Sequence, residues 1–524
     1  MMSNVQYIFK SSSIFTGKDL NYIDGYIVVQ DNRIIKVCTG SEIGFKSDDT
    51  VILDFKDQVI MPGLIDTHCF FTGYAMQNVG PNLSEVENFD RLIEVLKDYY
   101  STNINHGNNV SAYPILGHGA LQSLLSEIEV DMNHDMLEGQ FPGYPIVLFT
   151  MDNESCWMNE VAKECYGFDV DHTNAESVWK LMKPILGNDE FIIPMLKKYT
   201  QLMSSRGVTS VKEMGFDDFY GFAPKLHDLS RDNNLGLRIN FMSQPVGYEM
   251  NIEYGKQMKS LSNHPFFTFS GYNQMTDGSI SEDNGDLKEP YEKGYGCKQS
   301  IDYAQIEKDV LKADQAGFRF SLHTQGDGAV AKAIDIFSKC QQDSLGKLIH
   351  RHVLTDLELT DIEDLKRCAD LGIQAEVYPQ IMSLYDSGEG KISLIKEKVG
   401  ERRKYYWNRR GMLDTGMVIS CATDLPLLID DLGESIYHSC YGKFNDDTEF
   451  NPENVMTIEE LMRAWTLGGA LNLSKEKQLG TLEEGKLADL IVLNCDTRKI
   501  NASSAKDVRV VYTMVDGKVV HQEK

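Results

Sequence analysis

The sequence is short of basic residues, of long apolar runs and of paired cysteines. Lysine and arginine number 51 against 78 aspartates and glutamates, for a formal net charge of −27. That balance excludes the basic footprint of a nucleic-acid binder and a polybasic membrane patch. No apolar stretch approaches the roughly 18 residues that would span a bilayer. The opening MMSNVQYIFKSSS lacks an apolar core followed by a small-residue cleavage site, so a secretory signal is not expected. Ten cysteines are scattered without a C-x-x-C pair. This argues against a zinc ribbon or disulfide framework and for buried thiols in a reducing compartment. A cytoplasmic protein is the expectation. Internal repeats and low-complexity linkers are missing as well.

What is present is an ordinary globular composition, 42% hydrophobic and 25% charged over 524 residues, enough for a large core. Both ends read as β-structure. QYIFKSSSIF, GYIVVQDNRIIKV with a turn at Asp31-Asn32, and TVILDF open the chain. GKLADLIVLN and VRVVYTMVDGKVV, with a turn at Asp516-Gly517, close it. Neither end has strands enough for its own core, so 1–58 and 475–524 are expected to form one composite β-sandwich. Between them, over 59–474, buried strand-like runs alternate with helical patterns. The runs are VIMPGLIDTH, IVLFTM, GVTSVKEM, LRINFMS, FFTFSGYN, FRFSLHT, IQAEVYP and MVISCATD. YAQIEKDVLKADQAG is a helix candidate ending at Gly317. Alternating β and α units imply a parallel sheet, and about eight strands is the count of a closed (β/α)8 TIM-type barrel. The stretch around 75–145 breaks the alternation and reads as an insertion.

In such a barrel the working side chains sit at the C-terminal ends of strands. Four candidates follow apolar runs: His68, His323, His352 and Asp424. Imidazoles and a carboxylate from separate strands are what a catalytic Zn2+-type site needs, with one position left for water. The other histidines read as satisfied surface or half-buried residues.

These segments resemble, in order, the motifs of the amidohydrolase superfamily, and more closely its YtcJ-like branch. PGLIDTH resembles the first-strand PGFIDxHxH, SLHTQGDGAV the strand-five motif, and LIHRHVLTDLELTDIEDLKRCADLGIQAEVYP the strand-six block. CATDLPLL resembles the strand-eight SDaP motif, TDGSISEDNGDLKEPY the DGs loop, and GTLEEGKLADLIVL the closing segment. The resemblance implies a metal-bearing barrel with a β-sandwich from both termini, a small-molecule substrate and, as often among such barrels, a homodimer. Residue by residue, it implies that His68, His323 and His352 are ligands. Asp424 would be the aspartate that orients or deprotonates the attacking water.

The sequence also departs from the pattern. Phe70 stands at the second histidine of the first-strand pair, and Asn273 at the bridging lysine. Lys212 or Glu213 are candidate substitutes; Cys69, one residue from His68, should face the other way on an extended strand. In MDNESCWMN, Trp157 and Asn159 are kept but Glu154 replaces a histidine. Arg351 precedes His352. Phe70, Glu154, Trp157, Asn159, Asp277 and Arg351 are therefore the candidate substrate-side residues. The leading expectation is one divalent metal, zinc foremost, and hydrolysis of an amide, N-acyl or related C–N bond. A non-hydrolytic isomerase or lyase using acid/base groups without metal, and a non-catalytic ligand-binding relative, are the alternatives.

Overall fold

The computed structural model describes residues 6–523 apart from 41, 45–48, 79, 105–113, 129–130, 151–154, 168–171, 175–185, 216–221, 232–234, 246–248, 263 and 429–431. The chain divides into two compact units. The first, comprising 1–70, 198–217 and 223–524, holds a parallel eight-stranded barrel. Its strands are Leu64–Cys69, Val208–Gly215, Arg238–Ser243, Phe267–Met275, Arg319–Thr324, Val353–Asp356, Gln374–Val377 and Ile419–Cys421. Each pairs in parallel with the next. The ring closes where the Asp424 N–H donates to the His68 carbonyl at 2.8 Å and the Phe70 N–H to the Leu425 carbonyl at 2.8 Å. The second strand is buried at all eight positions, as expected of a parallel strand covered on both faces.

The helices between strands follow their sequence signals. Tyr303–Gln315 starts where the Asp302 side chain accepts the Gln305 N–H, buries Ile306, Val310 and Ala313 on one face, and stops before Gly317, whose φ is +80°. Seven of the eight expected runs are barrel strands, and IVLFTM is not. The count of eight is completed by Val353–Asp356, the short VLTD run after His352, between the fifth and seventh strands. Ile146–Thr150 instead joins a four-stranded sheet with Ile115–Ala120, Ser155–Met158 and His172–Asn174. Five consecutive buried residues look alike in either setting. This sheet belongs to the second unit, 71–197 with 218–222, which extends further than the insertion expected around 75–145. Leu92, Leu96, Leu124, Leu148 and Trp157 pack in its core.

Both chain ends meet in one mixed eight-stranded sheet. Its order is Lys518–Gln522, Val510–Val515, Leu490–Leu493, Ile60–Pro62, Gln6–Phe15, Tyr22–Gln30 and Arg33–Thr39, with Thr50–Asp54 also on Gln6–Phe15. The two expected hairpin turns abut. A Cβ on Gly517, at φ +74°, would lie 1.8 Å from the Asp31 carbonyl oxygen, so only glycine fits. Buried Arg238 at the start of the third barrel strand clasps Asp489 and Asp516 of this sheet, at 2.8 and 2.9 Å.

The loop after the fourth strand is pinned by charge. Asp283, at φ +67°, accepts from Tyr295, Lys298 and Lys398. Burial works against the carboxylate, but these donors outweigh it and hold Asp283 well below the usual range. A depressed folded pKa supplies stability above the unfolded value, about 4, that is lost as pH falls. Thermal melts should therefore show Asp283→Asn less stable than wild type at pH 7, with the gap shrinking towards pH 3.

Candidate active site

At the end of the first strand, His68 points into the barrel and is 4% exposed. Its Nδ1 lies 2.8 Å from Glu376 on the seventh strand. Glu376 also takes a hydrogen bond from Lys212 on the second strand, and both side chains are fully buried. Burial disfavours each charge. The Lys212 ammonium and the His68 contact nevertheless hold Glu376 down at about 2, while burial, opposed by Glu376, brings Lys212 to about 8. An ionised Glu376 must accept, so His68 Nδ1 carries a proton and Nε2 is the nitrogen turned towards Asp424. That nitrogen is 3.6 Å from Asp424. Phe70 meets the His68 ring edge-on at 5.4 Å between centroids, with Tyr378 at 6.1 Å. In the second histidine's place, Phe70 packs the imidazole that remains.

A matching pair lies on the neighbouring strands. His323, ending the fifth strand, places Nε2 3.2 Å from Asp356, which ends the sixth. Burial would lower the His323 pKa, but the Asp356 hydrogen bond and the charges of Asp356, Asp277 and Asp424 raise it to about 9. Its Nδ1 is buried without a hydrogen-bond partner among the described residues. Asp424, after the eighth strand, adopts φ +52° and is raised from the usual carboxylate range, chiefly by burial and by the nearby Asp356, against the pull of His68 and His323. Asp66 fixes its loop, accepting from the Thr423 N–H and hydroxyl as well as the His68 N–H.

His352 is elsewhere, contrary to the sequence expectation. It precedes the sixth strand, at the opposite, N-terminal end of the barrel. Its Nδ1 accepts the Phe320 N–H at 3.0 Å, so Nε2 carries the proton and donates to Asp314 at 3.1 Å. The donor atoms of Asp314, Cys340 and His352 lie within 4.8 Å of one another, all three residues buried. An ion on Nε2 would force a proton onto Nδ1, against the Phe320 N–H, so this donor set does not fit a metal. His352→Ala should destabilise the protein by about 1–3 kcal/mol through the groups it leaves unsatisfied. Bound metal per chain, measured by elemental analysis, should not change. Arg351 is at that end too, in a two-pronged ion pair with Glu476 at 2.9 and 3.1 Å, and is not a clamp in the mouth.

A model of the amidohydrolase family matches residues 51–521. The chain belongs to the amidohydrolase family. YtcJ of Bacillus subtilis, named as an amidohydrolase, is 19% identical over 91% of this chain and 92% of its own length. The N-substituted formamide deformylase of Arthrobacter pascens is 20% identical over 94% of each. Among solved structures, an uncharacterized metal-dependent hydrolase from Pyrococcus horikoshii OT3 has a TM-score of 0.73 at 18% identity, over 95% of this chain and 99% of that one.

In this amidohydrolase the remaining substrate-side expectations fare unevenly. Asp277 is fully buried, its carboxylate filled by the N–H groups of Asp286, Gln325 and Gly326. It shapes the loops rather than meeting a ligand. Asn159 caps the helix Glu160–Tyr166: its oxygen accepts from Ala162 and Ile146, and its amide donates to Tyr144. Trp157 is 2% exposed in the core of the second unit. Neither offers a surface to substrate. Glu154 lies outside the described residues.

Sequence reasoning missed Asp356 and Glu376, although both are carboxylates within or closing strand-like runs. His68 and His323 each have one nitrogen tied to one of these carboxylates, the arrangement that orients metal-ligating histidines. His68 Nε2 and Asp424 stand 3.6 Å apart, and His323, whose Nδ1 has no hydrogen-bond partner among the described residues, stands at the end of the fifth strand. Lys212 is no substitute ligand, because its ammonium is committed to Glu376 and Asn472. The Cys69 thiol contacts Tyr199 and Glu213, away from His68. Asn273 donates to Gln244, and its own oxygen is buried without a partner among the described residues.

Proposed function

We propose that this chain hydrolyses a C–N bond of a small amide, with one divalent ion, zinc by preference, held by His68 Nε2, His323 Nδ1 and Asp424. The observation that carries the reading is the doubled carboxylate–imidazole pair at the mouth, Glu376–His68 and Asp356–His323. Such an ion supplies water with a pKa lowered from 15.7 towards about 7 and polarisation of the scissile carbonyl. The chain's own groups do the rest. Glu376 fixes the His68 tautomer, Asp356 that of His323, and Asp424 accepts the proton of water and returns it to the departing amine. Phe70 gives the mouth an apolar wall beside His68. With Phe70 at the second histidine position of the first strand and an uncharged amide at Asn273, the donor set supports one ion rather than two.

The formamide deformylase among the relatives makes N-formyl and N-acyl amines the first substrates to try. Protein purified without chelator should carry about one equivalent of divalent metal. It should release amine and carboxylate in equal amounts from one of these amides, lose that activity on chelation and regain it on adding zinc. Full turnover in metal-free protein would overturn the reading in favour of acid/base chemistry without an ion.

A further inference from the structure

A second cleft opens at the other end of the barrel, around the start of the eighth strand. It offers about 440 Å3, within the range of small-molecule sites. Half-buried leucines line it, Leu413, Leu467 and Leu471 among them, with Leu20 at its lip 42% exposed. Its charged residues are unequally satisfied. Arg410 engages both acids, Glu460 through two hydrogen bonds and Asp414 at 3.5 Å. Arg463 is exposed and has no carboxylate partner among the described residues. The wall is also irregular. Ala464–Gly468 is a π-turn directly after the helix Ile458–Arg463, an uncommon geometry that recurs at functional sites. The turn sits tightly on the eighth strand: a Cβ on Gly468 would lie 2.0 Å from the Ile419 carbonyl oxygen.

We propose that this cleft binds a small organic anion with an apolar tail, its carboxylate on Arg463 and its hydrocarbon among the leucines. A lining that is polar and apolar in equal measure, with leucines and one guanidinium lacking a carboxylate among the described residues, suits such a ligand better than a cation. The cleft is separate from the mouth, and its floor adjoins the catalytic machinery. Leu471 precedes Asn472, whose amide donates to Glu376, the residue that orients His68. Occupation of the cleft is therefore placed to bear on the His68 imidazole through two side chains, Asn472 and Glu376.

Octanoate is the probe, titrated calorimetrically into the full-length protein. Saturable one-to-one binding is expected, about tenfold or more weaker in Arg463→Gln, from loss of one charge-assisted contact. Leu20→Asp, at the exposed lip, should weaken it too. Asp424→Asn should bind octanoate like wild type, and octylammonium should not bind. The proposal is overturned if octanoate shows no saturable binding, if Arg463→Gln binds it unchanged, or if Asp424→Asn abolishes binding, which would place the probe in the mouth. None of these outcomes depends on whether the mouth hydrolyses amides.

Discussion

Glu376→Gln should lower the unfolding free energy by about 3–5 kcal/mol, the range for removing one partner of a buried ion pair. The reason is what it leaves behind. Lys212 is fully buried, and its remaining contact is the Asn472 side-chain oxygen at 3.3 Å. With the carboxylate gone, the ammonium must either stay charged in a dry interior or give up its proton; both cost stability. Adding Lys212→Met should recover most of the loss, because a neutral, well-packed replacement of both partners is typically tolerated. Catalysis should not recover with stability. In the single and the double variant alike, His68 Nδ1 loses the anion that fixes its tautomer, which typically costs about 10–100-fold in metal affinity or activity. Chemical denaturation read beside turnover separates the two effects. A loss below about 1 kcal/mol in Glu376→Gln, the level of an exposed pair, would show that water reaches Lys212.

The barrel was legible because it is written in periodic terms. Seven of the eight expected strands are where their apolar runs stand, and both terminal hairpins turn at Asp31-Asn32 and Asp516-Gly517. The eighth run misled because four or five buried residues carry no mark of which sheet they join. IVLFT and VLTD exchange roles, and only pairing across the whole fold distinguishes them. That one exchange explains the error at His352. Once VLTD is a barrel strand, its C-terminal end is Asp356, and the histidine before it falls at the far end of the barrel. His68 and Asp424 come within 3.6 Å of each other, and His323, near the end of its own strand, feels the charge of Asp424. Asp356 and Glu376 went unread for a chemical reason. They act through the far nitrogens of the imidazoles, and a search for ligands passes over the groups that orient them. Trp157 and Asn159 show the converse: a motif position can be kept for a helix cap and a core, with no ligand in reach.

Asp424→Asn should lower kcat by about 10²–10⁴-fold, the usual contribution of a positioned acid/base group, and leave the fold intact. Asparagine has the same shape and tolerates the left-handed conformation that residue 424 adopts, φ +52°. The hydrogen bond that closes the barrel here comes from the backbone N–H to the His68 carbonyl and survives the substitution. Removing the charge also relieves its repulsion with Asp356, so the melting temperature should hold or rise. KM should change little, because the lost proton transfer belongs to the transition state rather than to binding. The amide oxygen can still face an ion, so part of the bound metal should remain, and elemental analysis alongside kinetics separates lost chemistry from lost metal. Turnover within about tenfold of wild type would assign the proton transfer to another group. His68 Nε2, 3.6 Å away and oriented by Glu376, would then be the residue to substitute next.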